Sequence, residues 1–179
     1  MNKSLNLKLD RSLAKGYKSS SQIARIMTEQ WVCRNLKTPC CNVRFHPLAN
    51  NTRSADFTCS ACNKPFQLKS SQRSFNTRVT GAEYRTTLNA FEQTAVRPSL
   101  ILLRYNGDDE VTNLSFIHRK NLSPSMIHAR KPLSKTAERS GWQGCSVFLK
   151  DLLPHYRLDF VVQGIVRNWP EIVQKWEED

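Results

Sequence analysis

The chain has 179 residues, 39% hydrophobic and 23% charged, an ordinary folded composition with length enough for one real core. Its 27 Lys and Arg against 15 Asp and Glu leave a net charge of +12, which asks for a polyanionic partner, nucleic acid being the common one. No apolar run exceeds Leu100 to Leu103, which excludes a transmembrane helix and a secretory signal, so a cytoplasmic setting is expected.

Residues 1–18 are basic and weakly patterned and read as irregular. Ser19 followed by Gln22 has capping-box spacing. Ile23, Ile26, Met27 and Trp31 then recur at helical intervals, predicting a helix over about 21–35. Pro39, Pro47 and the Asn-Asn-Thr-Arg stretch at 50–53 mark loops. Two short strands are expected at Ala55 to Cys59 and Pro65 to Lys69, followed by a helix at about 83–95 on Tyr84, Leu88 and Phe91. Ser99 to Tyr105 reads as a buried strand ending in a turn at Asn106 to Asp109, and Asn113 to His118 as the next strand. Arg119 to Trp142 reads as basic loop with one helical turn after Ser123-Pro124. Strands at Ser146 to Leu149 and Leu158 to Val162 and a helix at Pro170 to Trp176 complete the order. That order predicts one α/β domain over 1–179, with a mixed central sheet flanked by helices. The segment from Asn168 to the end is acidic, so the body before it is more basic than the net figure says.

Six cysteines without an export signal argue against a disulfide framework. Cys59-x-x-Cys62 is the two-ligand turn of a zinc knuckle, and Cys41 lies upstream at a familiar separation. The fourth ligand stays open: Cys33 at the end of the first helix, Cys40 beside Cys41, or His46. A knuckle within 33–62 holding structural Zn²⁺ is expected, because four thiolates leave no open position. Cys145 reads as a buried small hydrophobe.

Asp56 stands near the start of one predicted strand, while Gln67 and Lys69 alternate on the next and face the same way. A hairpin pinned by the knuckle brings the three together. Asp56, the Gln67 side chain and the Leu68 carbonyl form a hard-oxygen set suited to Mg²⁺. Lys69 is placed to orient the attacking water and offset charge in phosphodiester hydrolysis. Glu29 on the first helix is either a solvent-facing residue or an outer carboxylate of this group.

The segments Gly16-Tyr17-Lys18-Ser19, Ser21-Gln22, Thr28-Glu29, Trp31-Val32, Ala55-Asp56-Phe57, Leu68-Lys69-Ser70, Arg130-Lys131-Pro132-Leu133, Gly141-Trp142 and Gly144-Cys145 follow in order. Together they resemble the catalytic domain of the DpnI and Dam-replacing protein family over about residues 5–170. The resemblance implies a PD-(D/E)xK restriction-endonuclease-like fold with a small zinc knuckle, in a bacterial, Mg²⁺-dependent type II enzyme that cuts duplex DNA at adenine-methylated GATC. It implies Asp56, Gln67 and Lys69 as the catalytic triplet and Cys41, Cys59 and Cys62 as zinc ligands. Three departures from the family pattern stand out: Gln67 replaces an acid, Thr38 replaces the first cysteine of a knuckle, and the family's C-terminal winged-helix domain is not expected within this chain. The alternatives are a non-catalytic zinc-containing DNA-binding protein, or a same-fold nuclease with another modified-DNA target.

Arg73, Arg78, Arg85, Arg130, Lys131 and Arg139 are candidate DNA contacts, mostly to phosphates, which position a duplex without reading it. Trp142, within Gly-Trp-Gln-Gly, is either a packed turn residue or an apolar contact for a base or its methyl group. His118, His128 and His155 carry no motif.

Overall fold

A computed structural model describes residues 5–50, 52 and 54–178. Of the expected loop at 50–53, residues 51 and 53 lie outside that set, as do residues 1–4 and 179. The first long element is α1, Ser20–Asn35, which buries Met27, Thr28, Trp31 and Val32. Its buried Thr28 hydroxyl is satisfied by the Ala24 carbonyl one turn back, at 2.8 Å. The expected capping box does not form. Ser19 is the N-cap, but its hydroxyl pairs with the Ser21 hydroxyl at 2.8 Å and caps no backbone donor.

The segment before α1 is more ordered than its weak pattern suggests. Leu9 is buried, and its N–H donates to the Asp109 carbonyl at 2.8 Å. Arg11–Ala14 forms one 3-10 turn. The Trp31 indole N–H donates to the Asn6 carbonyl at 2.8 Å, tying this segment to α1.

The main sheet has seven strands: β1 Phe45–Pro47, β2 Phe57–Cys59, β3 Pro65–Ser71, β5 Ser99–Tyr105, β6 Val111–Ile117, β9 Arg157–Val162 and β10 Ile165–Val166, in that spatial order. Only the β3–β5 pair is parallel, so the sheet is mixed. A second sheet orders β4 Arg78–Glu83, β8 Gly144–Phe148 and β7 Ile127–Ala129. Strands β1, β4, β7 and β10 fall where the sequence pattern shows no strand: β1 takes in Pro47, read as a loop marker, and β7 interrupts the expected loop from Arg119 to Trp142. Among the residues of β4, only Val79 is buried, too little to generate a visible apolar alternation.

The apolar run in β5 has a direct cause: the strand is covered on both faces. Ile101 and Leu103 pack with Trp31, Val32, Phe66 and Phe116. Leu100 and Leu102 pack with Phe91, Val79, Cys145 and Val147. The first face is closed by α1 and by α3, Trp169–Glu178, whose Trp176 stacks on Phe66 with ring centroids 5.8 Å apart. The second is closed by the three-stranded sheet and α2, Tyr84–Glu92. The Glu83 carboxylate caps α2, accepting the Arg85 and Thr86 N–H groups at 3.2 and 2.7 Å. Each fully buried Phe or Leu in these layers contributes on the order of 1.5–3 kcal/mol of transfer free energy.

Candidate functional site

Strands β2 and β3 form the expected hairpin, with Phe57 opposite Phe66 and Thr58 opposite Pro65. Just outside β2, the Asp56 N–H still donates to the Phe66 carbonyl at 2.9 Å. The side chain of Asp56 then reaches along β3, where its carboxylate accepts the Leu68 N–H at 2.7 Å. Register with β5 sorts the rest of β3. Gln67 and Lys69 lie beside Leu100 and Leu102, whereas Phe66, Leu68 and Ser70 lie beside Ser99, Ile101 and Leu103.

An open cleft of about 560 Å³ lies at this edge, lined from the hairpin by Asp56, Leu68, Lys69, Ser70 and Ser71. Helix α1 contributes Ser21, Ala24, Arg25, Thr28 and Glu29, and Arg73 and Arg78 join the lining. Gln67 is not among the lining residues and is only 7% exposed. The cleft therefore unites Asp56, Leu68 and Lys69 but not the third member of the expected triplet. It also contains Arg25, Thr28 and Glu29. Their spacing with Ser21 is a helical stripe visible in sequence, but nothing local says which wall that stripe faces.

The charged groups in the cleft perturb one another. Burial pushes the Asp56 carboxyl above its usual range, opposed by the Leu68 N–H and the charges of Lys69 and Arg25. Burial also raises Glu29, the Asp56 charge raises it further, and Arg25 opposes. Lys69 is lowered by burial, with Asp56 pulling the other way. Two acids and a lysine thus share one cleft with mutually perturbed acidities.

At the other end of the hairpin, the sulfurs of Cys40, Cys41, Cys59 and Cys62 all lie within 4.8 Å of one another. The fourth sulfur of the group belongs to Cys40. Cys33 sits in the last turn of α1, packed against the main core and outside the group. His46 pairs with Thr58 across β1 and β2 and is also outside it. Adjacent cysteines can both contribute because the chain turns sharply there. Asn42 N–H returns to the Thr38 carbonyl at 2.8 Å, with Asn42 at φ +54°. A tetrahedral site with metal–sulfur bonds of about 2.3 Å has sulfurs roughly 3.8 Å apart. Cys40 and Cys62 are 3.7 Å apart, so the donor set fits zinc. Burial alone raises the Cys59 thiol, but the Thr38 hydroxyl and the Cys62 and Ala61 N–H groups bring it down to about 6.

The candidate DNA contacts separate into two groups. Arg73 and Arg78 are at the cleft. Arg85 is exposed in the first turn of α2, and Arg130, Lys131 and Arg139 are exposed in the loop between β7 and β8. There the Arg139 guanidinium lies 4.8 Å from the centre of the Trp142 ring. Trp142 packs over Gly144 so closely that a Cβ on that glycine would sit 3.0 Å from the ring. Cys145 is fully buried, as its reading as a small hydrophobe requires. Among the described residues no helix is long and apolar enough to cross a membrane.

The fold and site define an α/β protein with an acid–lysine cleft at one end of a hairpin and a four-cysteine group, suited to zinc, at the other. The family model described as DpnI, the Dam-replacing family, matches residues 5–179, and the chain belongs to that family. Membership points to DNA as the partner and to a modification-dependent restriction endonuclease as the class of protein.

Proposed function

We propose that the protein is a Mg²⁺-dependent restriction endonuclease of the PD-(D/E)xK fold, a single domain that hydrolyses duplex DNA at adenine-methylated GATC sites. The observation that carries this reading is the Asp56 carboxylate, held against β3 by the Leu68 N–H in the same cleft as Lys69. Family membership supports the substrate and its modification.

The oxygen chemistry of the cleft suits a hard cation: the Asp56 carboxylate and the Leu68 carbonyl would hold it, whereas the Gln67 amide expected from the sequence pattern lies outside the lining. When bound, Mg²⁺ supplies positive charge that polarises a phosphoryl oxygen and lowers the pKa of water. Lys69 hydrogen-bonds the attacking water and offsets charge as the phosphate becomes five-coordinate. Its ammonium, pushed down by burial, releases a proton more readily than that of a solvated lysine. Arg73 and Arg78 grip flanking phosphates. Arg85, Arg130, Lys131 and Arg139 extend the backbone contact, and Trp142 offers an apolar face to a base or its methyl group. Cys40, Cys41, Cys59 and Cys62 hold a structural Zn²⁺ that fixes the far end of the hairpin, and so the position of Asp56.

The competing reading, a zinc-containing DNA-binding protein without catalysis, draws on the neutral, buried Gln67. Single substitutions decide between them. Asp56→Asn and Lys69→Ala are expected to lower cleavage of methylated plasmid at least about a hundredfold while gel-shift binding persists. Absence of cleavage in the unsubstituted protein with Mg²⁺, binding retained, supports the competing reading.

A further inference from the structure

We propose that Glu29 of α1 is a further catalytic residue of the cleft, contributing the second carboxylate that β3 lacks. The inference rests on the nuclease reading above. On β3 the position expected to carry an acid is Gln67, a neutral amide that does not line the cleft. Glu29 does line it, from α1, facing the hairpin that carries Asp56.

The simpler account makes Glu29 half of an exposed ion pair along the helix, since Arg25 precedes it by one turn. Three observations weigh against that account. The Arg25–Glu29 separation is 3.9 Å, the outer limit of an ion pair. The same Arg25 nitrogen, Nη1, makes a closer contact of 3.0 Å, donating to the Asn50 side-chain oxygen. The Glu29 side chain is only 26% exposed, and it lies close enough to feel the Asp56 charge. Two carboxylates turned into one open cleft repel each other, and a divalent cation is the partner that converts this repulsion into binding.

Helix α1 is a suitable support for such a group. It is fixed to the core by Met27, Trp31 and Val32, and Thr28 reaches Ser70 of β3 at 3.3 Å. Glu29, next in sequence to Thr28, is therefore carried on an element already pinned to the strand of Lys69. Its carboxylate replaces in space what the amide at position 67 lacks in charge.

Calorimetric titration of MnCl₂ into the zinc-loaded full chain tests the assignment without relying on cleavage. Glu29→Gln is expected to weaken Mn²⁺ binding roughly tenfold or more, with zinc content and melting temperature unchanged. Glu29→Asp, which keeps the charge on a shorter arm, is expected to lose less. Asp56→Asn separates this claim from the nuclease reading. Loss of Mn²⁺ binding in Asp56→Asn with full binding in Glu29→Gln overturns the role of Glu29 alone. Full binding in Asp56→Asn, together with no cleavage by the unsubstituted chain, overturns the nuclease reading itself.

Discussion

The Asp56 carboxylate, just before β2 begins, accepts the backbone N–H of Leu68 within β3 at 2.7 Å. One bond thus closes the open end of the hairpin and fixes the orientation of the acid. Asp56→Asn keeps an oxygen that can accept this N–H, whereas Asp56→Ala removes it. The alanine variant is expected to be less stable than the asparagine variant by about 1–3 kcal/mol, and neither is expected to cut DNA. Urea denaturation of the two variants side by side measures the difference.

The cysteine geometry makes a sharper distinction than the sequence. Serine at Cys40, Cys41, Cys59 or Cys62 is expected to abolish tight zinc binding and lower the melting temperature. Serine at Cys33 is expected to leave zinc at about one per chain. Elemental analysis after dialysis against a mild chelator reads both outcomes.

Much of this architecture was legible along the chain, and the exceptions have physical reasons. The strand Ser99–Tyr105 announces itself because both of its faces are buried, leaving four consecutive apolar residues. The helix Ser20–Asn35 is visible from the spacing of Ile23, Ile26, Met27 and Trp31. The placement of Asp56 beside Lys69 follows from period two and a hairpin. Cys40 was harder to read because adjacent cysteines fit one metal only if the backbone turns, and Asn42 in the left-handed region supplies that turn without a glycine to mark it. Strands Arg78–Glu83 and Ile127–Ala129 escape because each buries a single apolar side chain. The position of Glu29 is a tertiary fact: it depends on how α1 lies across β3, which no local pattern records.

Gly81 illustrates packing that leaves no room for a side chain. A Cβ there would come within 2.2 Å of the sulfur of Cys145, which is fully buried. Gly81→Ala is expected to destabilise by about 1–3 kcal/mol. In a Cys145→Ala background the same substitution is expected to cost clearly less, because the clashing sulfur is gone. Chemical denaturation of the four proteins of this cycle gives the coupling directly.

Asp109 predicts an acid-dependent loss of stability. Its carboxylate takes two hydrogen bonds from Arg11, at 2.7 and 2.6 Å, and the Arg11 hydrogen bond and charge hold it below the usual carboxylate range. A depressed folded-state pKa contributes stability that is present above the unfolded value of about 3.9 and is lost as pH falls through the folded value. Asp109 also has φ +58°, a conformation that asparagine tolerates. Asp109→Asn therefore removes the charge without forcing the backbone. Its stability is expected to fall below that of the unsubstituted protein at pH 7, and the gap to close as pH drops below about 4. Urea midpoints across that range check the sign.

The most direct measurement uses matched plasmids prepared from adenine-methylating and non-methylating hosts, each incubated with the protein and Mg²⁺. Cleavage of the methylated plasmid at GATC, with the unmethylated one intact and no cutting when EDTA replaces Mg²⁺, is the predicted result. Equal cleavage of both plasmids contradicts the methyl-directed specificity, and binding without cleavage of either contradicts the assignment of Asp56 and Lys69 as catalytic.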